Sequence, residues 1–380
     1  MNRSHAFASR RAPQAVAILA VAFMVAATDP SAQQRDRYTL EGDRVAMYDV
    51  AGELRVEPGT GSAVVVEVVR GGRDAGALSV QTSEDRGIAT LSIAFPGRRI
   101  VYAAIPGHWE VTQSIDDRGR FKDHFDPLRQ RQVRVSGSGS GLVAWADLRI
   151  LVPPGKSLTL HHLAGHVSVQ GVKGDLAIDH GAGDLEVRGV RGALSLDTGS
   201  GRATVADLQG DLSVDSGSGG VEISEVRGTT LKLDTGSGSV RATRVDVDAL
   251  DADTGSGDVV LRELSAERMR LDTGSGAVDV DLSHAPRDIT ADTGAGSFTL
   301  RVPSGFGATF EVDTGSGGVD VGVEHESYEI DHDRVRGKIG DGHGRIRIDG
   351  GSGSVRILPG NSKAPGRVGM LSTLLVRDLG

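Results

Sequence analysis

The chain has 380 residues, of which 54 are glycine, 4% are aromatic and none is cysteine. The glycine content is about twice the usual share, and the lack of cysteine excludes disulfide-stapled modules, thiolate metal sites and iron–sulfur proteins. A formal net charge of −9 does not favour nucleic acid, which needs a basic stripe, so we expect no nucleic-acid partner.

The first 32 residues predict an export signal. Arg3, Arg10 and Arg11 form a basic start, and residues 15–27 form an apolar run of 13 residues, shorter than the ~20 that span a bilayer as a helix. Cleavage after Ala27 or Ala32 would remove this segment, and we expect no membrane span after its removal. The sequence therefore predicts an exported protein that is periplasmic, at the cell surface or secreted.

Residues 38–156 predict a less regular β region. Alternating apolar residues indicate strands at 63–69, 78–81 and 89–94. Residues 107–132 break this alternation with mixed charges, so we expect a protruding loop there.

A short glycine-rich motif then recurs along the chain. DTGSG or a close variant begins at Asp197, Asp215, Asp234, Asp253, Asp272, Asp292 and Asp313. The intervals run from 18 to 21 residues, and degenerate copies at His161, Asp179, Asp331 and Asp349 continue the period on both sides. Such a fixed period is typical of a solenoid in which each repeat forms one coil.

Apolar residues keep the same register as the motif. The positions three and one before each copy are apolar in nearly every repeat, from Leu158 and Leu160 to Tyr328 and Ile330. This alternation predicts two short, half-buried strands per repeat whose apolar side chains, those of Tyr328 and Ile330 included, face the core.

The fold class that we predict is therefore all-β. Residues 157–358 would form a β-solenoid, or single-stranded parallel β-helix, with coils of 18–21 residues, because stacked strands bury faces that one repeat cannot bury alone. A sandwich of hairpins built from the same strands is the alternative. Residues 359–380 would be a tail or a terminal cap, and open β edges at the ends of a solenoid leave the oligomeric state undetermined.

The motif itself has a local explanation as a corner between strands. An Asp side chain can accept hydrogen bonds from backbone N–H groups two residues further on, and glycine accepts a positive φ without a Cβ clash. We therefore expect Asp to close each corner and the glycines to adopt left-handed backbone.

Serial LxLDTGSG copies, together with the closing segment at 337–355, resemble the DUF4097 family of exported bacterial proteins. The opening segment at 43–52 fits the same family, so the resemblance covers roughly residues 40–358. It implies a β-helical fold, an envelope or surface location and the adhesin label that the family often carries. It transfers no catalytic residue.

In-register stacking would place the Asp residues of the corners in one column of like charges about 4.8 Å apart. The members of this predicted column are Asp179, Asp197, Asp215, Asp234, Asp253, Asp272, Asp292 and Asp313. Oxygen-rich sites suit Ca²⁺, which is the one cofactor that we consider, although the calcium nonapeptide of β-helical repeats is missing. Carboxylates held at a solvated corner are the alternative.

Two histidines are the other candidate for metal binding. His162 and His180 are 18 residues apart and should stack, so that their imidazoles could bind Zn²⁺ or Ni²⁺. The alternative is that both are surface histidines at the Thr position of a corner.

These observations favour a protein that is not an enzyme. An aspartic protease needs one pair of carboxylates in a cleft, whereas the motif recurs at solenoid spacing. We expect a cell-surface or envelope binding and structural module whose partner is an envelope protein or a surface glycan. A periplasmic scaffold or envelope-stress component is the second reading, and a β-helical polysaccharide-active enzyme is the third.

Overall fold

The computed structural model describes residues 35–121, 130–331 and 333–360. The predicted export signal lies outside the described residues, as does most of the predicted tail. The strands of the first half are β1 (Arg35–Leu40), β2 (Arg44–Ala51), β3 (Leu54–Pro58), β4 (Val64–Gly71), β5 (Ser79–Asp85), β6 (Ile88–Ala94), β7 (Arg99–Val101), β8 (Glu110–Ile115), β9 (Arg131–Ser136), β10 (Trp145–Val152), β11 (Ser157–Ala164), β12 (Val167–Gln170), β13 (Leu176–Ala182), β14 (Leu185–Arg188) and β15 (Leu194–Ser200).

The remaining strands carry the repeats. They are β16 (Ala203–Gln209), β17 (Leu212–Ser216), β18 (Val221–Arg227), β19 (Thr230–Thr235), β20 (Val240–Thr254), β21 (Val259–Thr273), β22 (Val278–Leu282), β23 (Asp288–Thr293), β24 (Phe298–Val302), β25 (Ala308–Thr314), β26 (Val319–Val321), β27 (His325–Ile330), β28 (Arg334–Ile339), β29 (Gly344–Gly350) and β30 (Val355–Pro359). One 3₁₀ turn spans Ala75–Ala77.

The predicted solenoid is confirmed. Each coil contributes one strand before the DTGSG corner and one after it, and both pair in parallel with the same strands of the next coil. On the first face β13 pairs with β15 and β15 with β17, while on the second face β14 pairs with β16 and β16 with β18. In β20 and β21 the second strand of one coil continues without a break into the first strand of the next. The apolar residues that alternate along each strand determine which side of the strand faces the interior.

The interior is a continuous apolar stack. Leu176, Leu194 and Leu212 lie above one another on the first face, each at most 3% exposed. Every such leucine stabilises the stack by about 2 kcal/mol through its removal from water. The period-two alternation of the sequence thus becomes one dry core that runs the length of the solenoid.

The stack of coils also includes residues N-terminal to residue 157, in the region that we expected to be irregular. β2 pairs in parallel with β11, and β3 pairs in parallel with β12. β6 lies on the far side of β2, also in parallel. Residues 44–58 therefore form a coil in register with the repeats, as the resemblance of residues 43–52 to the family implied, although we predicted a less regular region here.

A three-stranded side sheet of β7, β9 and β8 packs beside these first coils. Part of it falls in the segment that we expected to protrude as a loop, of which residues 122–129 lie outside the described residues. Outward-facing residues of the first coils, such as Tyr48 and Leu163, are buried, and Val111 of β8 approaches the first face at Gly181. The side sheet thus covers the start of the first face.

The last coils do not stack in chain order, contrary to the simple reading of the repeat. β29 lies between β23 and β25 and pairs in parallel with both. Likewise β30 lies between β24 and β26. The coil at 344–359 is therefore inserted between two coils that precede it in the sequence.

The predicted inward position of Tyr328 and Ile330 is wrong. β27 runs antiparallel to β28, which itself runs antiparallel to β25. Within the described residues no coil lies beyond β27, so Tyr328 is 66% and Ile330 74% exposed. Asp331 consequently does not continue the corner column.

Candidate functional site

The repeated corner is closed by its hydroxyl residue. Thr235 Oγ1 donates to the carbonyl oxygen of Gly238 at 3.0 Å, and Ser216 Oγ donates to that of Gly219 at the same distance. Both hydroxyl side chains point inward and are 1% exposed. The hydroxyl group, rather than the predicted Asp, closes these corners, because strand alternation turns Asp outward and brings Thr or Ser into the corner.

The corner positions also require glycine for a different reason from the one predicted. Gly201 adopts φ +113°, but later corner glycines such as Gly238 and Gly257 lie outside the left-handed region. A Cβ on Gly238 would lie 1.9 Å from the carbonyl oxygen of Gly219 in the coil below, and Gly257 stands in the same relation to Gly238 at 2.0 Å. Glycine is required there because the backbones of successive coils touch.

The Asp side chains of the corners form the predicted column, with one change of order. Asp179 lies beside Asp197, and the register continues coil by coil to Asp292. Asp349 then comes between Asp292 and Asp313, because its coil is inserted there.

Burial, followed by the charges of Asp272, Asp234 and Asp251, raises the pKa of Asp253, and Arg270 opposes this. Around Asp253, neighbouring carboxylates of the column therefore repel one another. Within the part of the chain that the structure describes, no group of three or more His, Asp or Glu side chains is placed to hold a metal ion. The predicted Ca²⁺ site therefore has no support from the geometry.

A second set of Asp residues fastens one coil to the next. Asp211 Oδ1 accepts hydrogen bonds from the backbone N–H groups of Thr229 and Thr230 in the following coil, at 2.8 and 2.9 Å. Asp175 accepts from Ala193 in the same way at 2.9 Å. These carboxylates satisfy amides that the strand ladders leave open, a role that no motif in the sequence indicated.

His162 and His180 occupy the Thr position of the first corners, but they are buried rather than on the surface. Each is 1% exposed, and the two rings stack with centroids 5.2 Å apart. They belong to successive coils, with His180 paired to Thr198 of the next coil. Below them lies Asp49, which is fully buried, with its Oδ2 3.5 Å from His162 Nε2.

The hydrogen-bond partners of the two rings indicate which ring nitrogens donate and which accept. His180 Nε2 lies 3.1 Å from the carbonyl oxygen of Gly183 and must donate to it, so its Nδ1 accepts from His162 Nδ1 at 3.2 Å. His162 Nε2 lies 3.5 Å from Asp49 Oδ2, and neither atom has a hydrogen-bond partner among the described residues. The two rings are therefore linked to each other and to Gly183 inside the core, with the Asp49 carboxyl group beside them.

Burial explains why the two histidines stay neutral and shifts the pKa of Asp49 as well. It lowers the pKa of His162 to about 3 and that of His180 to about 3, where the neighbouring His162 ring adds to the effect. Burial also raises the pKa of Asp49 well above its ordinary value, with the charge of Asp147 as the second cause. A metal would have to enter this sealed core, so the geometry does not favour the predicted Zn²⁺ or Ni²⁺ site.

A cleft of about 560 Å³ lies at the C-terminal end of the solenoid. Phe306, Val323 and Ile339 form apolar walls, while Glu324 and Glu326 contribute carboxylates. Sequence reasoning missed this cleft because its walls come from segments that are distant in the chain, although the density of acidic residues at 320–333 was visible.

The model of one protein family, DUF4097, described as Toastrack, matches residues 147–358, which is more than half of the chain. The chain belongs to the DUF4097 family. The match begins within β10 and ends within β30, so the early coil at 44–58 and the side sheet lie outside it. No curated protein matches the sequence.

Two solved structures resemble this DUF4097 protein. One is a candidate cell adhesion protein from Clostridium sporogenes ATCC 15579, with 9% identity, a TM-score of 0.18, and coverage of 86% of this chain and 99% of the other. The second is a candidate lipid-binding protein from Parabacteroides distasonis ATCC 8503, with 11% identity, a TM-score of 0.32, and coverage of 85% and 96%. At these values the likeness carries no functional argument.

In the described part of the DUF4097 chain, no helix has the length and apolar character needed to cross a membrane. The polar groups considered so far are the exposed Asp column, the Asp residues that join coils, and the sealed His pair. The exposed groups that can meet a partner are therefore the faces of the coils and the C-terminal cleft.

Proposed function

We propose that this DUF4097 protein is exported and serves as a non-enzymatic binding and structural module of the cell surface or envelope. The observation that carries the proposal is the uninterrupted stack of coils. In the described residues twelve parallel strands form the first face, and their usual spacing makes it about 50 Å long. This long, regular face, of which the side sheet covers only the start, suits contact with an extended partner such as an envelope protein or a surface glycan.

The arrangement of ionisable groups supports a role in binding rather than catalysis. Three side chains with strong environmental effects on their pKa, Asp49, His162 and His180, are buried in the core. The exposed carboxylates repeat from coil to coil with similar surroundings. Catalysis instead needs differently tuned groups that meet at one accessible point.

Localisation tests the proposal first. An epitope tag at the C-terminus would be labelled with antibody on intact cells and on permeabilised cells. Labelling of intact cells supports a surface module, while labelling only after permeabilisation supports a periplasmic scaffold that binds another protein.

A deletion strain tests the role itself. We expect weaker adhesion or a more permeable envelope, restored by the intact gene. Unchanged adhesion and envelope integrity would contradict the proposal. Release of reducing ends or unsaturated sugars from envelope polysaccharide by the purified protein would replace it with the enzyme reading.

A further inference from the structure

The C-terminal end of the solenoid has an open strand. β27 pairs with β28 on one side and, within the described residues, has no strand on the other. All six of its residues are exposed, and Tyr328 and Ile330 are the large apolar side chains that the described surface exposes most. An open edge with apolar side chains is a template for another strand.

Charges near this edge alternate strand by strand. On the outward side, Glu311 of β25 faces Arg336 of β28, and Arg336 faces Glu329 of β27. Arg336 makes ion pairs with both, one of them at 3.1 Å to Glu329. Lys338 faces Glu326 in the same way. A strand added beyond β27 would continue the pattern if its outward residues were basic.

The region of β27 is strongly acidic. Between residues 318 and 333 the chain has six acidic residues and no lysine or arginine: Asp320, Glu324, Glu326, Glu329, Asp331 and Asp333. Glu324 and Glu326 also line the C-terminal cleft. A basic partner with apolar residues on its other side therefore suits this end of the molecule.

The opposite end of the molecule carries such a strand. β1 pairs with β4 on one side and, in the part of the chain described, with nothing on the other. Its residues alternate: Arg35 and Arg37 are exposed, while Tyr38 and Leu40 face inward with the buried valines of β4. Asp36, which lies between the arginines, is bonded to Arg70 at 2.6 Å.

We propose that β1 of one copy adds to the β27 edge of a second copy. In a parallel pairing, Arg35 and Arg37 then face Glu326 and Glu329 on the outward side. Tyr38 lies beside Ile330 on the inward side. The two surfaces differ and lie at opposite ends of the solenoid, so the contact is heterologous and repeats into open-ended chains rather than closed dimers. Self-association of this kind does not depend on the surface role proposed above.

Analytical ultracentrifugation and negative-stain electron microscopy test the contact. The protein, produced with its own N-terminal segment so that processing takes place, is examined at concentrations from about 1 to 100 μM. We expect linear assemblies that grow with concentration and shorten at high salt, because exposed ion pairs are screened. A monomer at every concentration and at low salt would overturn the proposal.

Charge reversal distinguishes this contact from others. The variants Glu326→Lys/Glu329→Lys and Arg35→Glu/Arg37→Glu should each be monomeric when alone, whereas an equimolar mixture should assemble again because opposite charges then meet at both ends. Ile330→Lys, at an exposed position that folding does not need, should also abolish assembly. Glu222→Lys/Glu263→Lys, on the side of the solenoid, is the matched control and should assemble normally. Assembly that persists in both end variants, or a mixture that stays monomeric, would contradict the proposal.

Discussion

At the scale of single residues, the corner of each coil is determined by backbone contact. Gly238 sits directly on the carbonyl oxygen of Gly219, whereas a Cβ on the neighbouring Gly220 would meet nothing closer than Ser239 O at 3.8 Å. Neither Gly238 nor Gly220 has a left-handed φ. Substitutions at these two positions therefore test whether contact with the next coil, rather than backbone conformation, requires glycine.

We predict that Gly238→Ala destabilises the protein by about 3 kcal/mol, because the coils would have to separate at that corner. Gly220→Ala should change the free energy of unfolding by less than about 1 kcal/mol. Urea unfolding followed by circular dichroism measures both. Equal effects of the two substitutions would mean that the stacking contact is not the reason for glycine.

The buried histidines predict acid sensitivity. The pKa of His180 is lowered to about 3 in the folded protein, whereas it is about 6.5 in the unfolded chain. Below pH 6.5 the unfolded state binds a proton that the folded state does not, so stability is lost as the pH falls. For this one group the loss at pH 5 is about 2 kcal/mol.

His180→Thr, which installs the residue used by the later corners, should therefore lose less stability than the unmodified protein between pH 7 and pH 5. The difference in slope should approach one proton. Asp49, whose raised pKa acts in the opposite direction above pH 3.8, is present in both chains, so the comparison isolates His180. His284→Thr, at an exposed position, should leave the slope unchanged; parallel pH profiles for His180→Thr would contradict the buried-histidine account.

At the scale of the element, coils are held together by side chains as well as by strand ladders. Asp211 accepts from two amides of the next coil, so Asp211→Ala should leave both unsatisfied and cost about 1–2 kcal/mol. Asp211→Asn keeps an acceptor oxygen and should cost clearly less. Asp248→Ala, at an exposed position, is the control. Thermal unfolding measures the series, and equal melting temperatures for Asp211→Ala and Asp248→Ala would refute the role.

In the middle of the Asp column, the carboxylates around Asp253 repel one another. Asp253→Asn removes one charge between Asp234 and Asp272, so we expect a small stabilisation, about 0.2–1 kcal/mol at low salt. The gain should disappear near 1 M salt, where the Debye length is about 3 Å. Asp320→Asn, outside the column, provides the comparison. A gain that persists at high salt would mean that repulsion in the column is not its cause.

At the scale of the whole molecule, the inserted coil makes the last segments depend on one another. β29 joins β23 to β25, and β30 joins β24 to β26. A chain that stops after residue 343 lacks β29 and β30 and so loses this connection, although it keeps β25 to β28.

We therefore predict that removal of 344–380 destabilises the remaining chain more than the larger removal of 303–380 does. The chain that stops at residue 302 ends on an intact stack and should unfold in one cooperative transition. The chain that stops at residue 343 should show fast hydrogen exchange throughout 303–339. Protection of 303–339 in the chain that stops at 343 would contradict the joining role of the inserted coil.

The sequence by itself determined the solenoid, because an 18–21-residue period places equivalent apolar residues in register, and stacking is the way in which short repeats bury them. The inward leucines and the Asp column followed from the same alternation. Only the tertiary structure decided features that depend on which coil lies next to which. The inserted coil, the exposed Tyr328 and Ile330, and the burial of His162 are of this kind, because a repeat encodes a shared strand pattern and not the order of neighbours or the cover above them. The reason for the corner glycines belongs here too, since the carbonyl that excludes a Cβ comes from another coil.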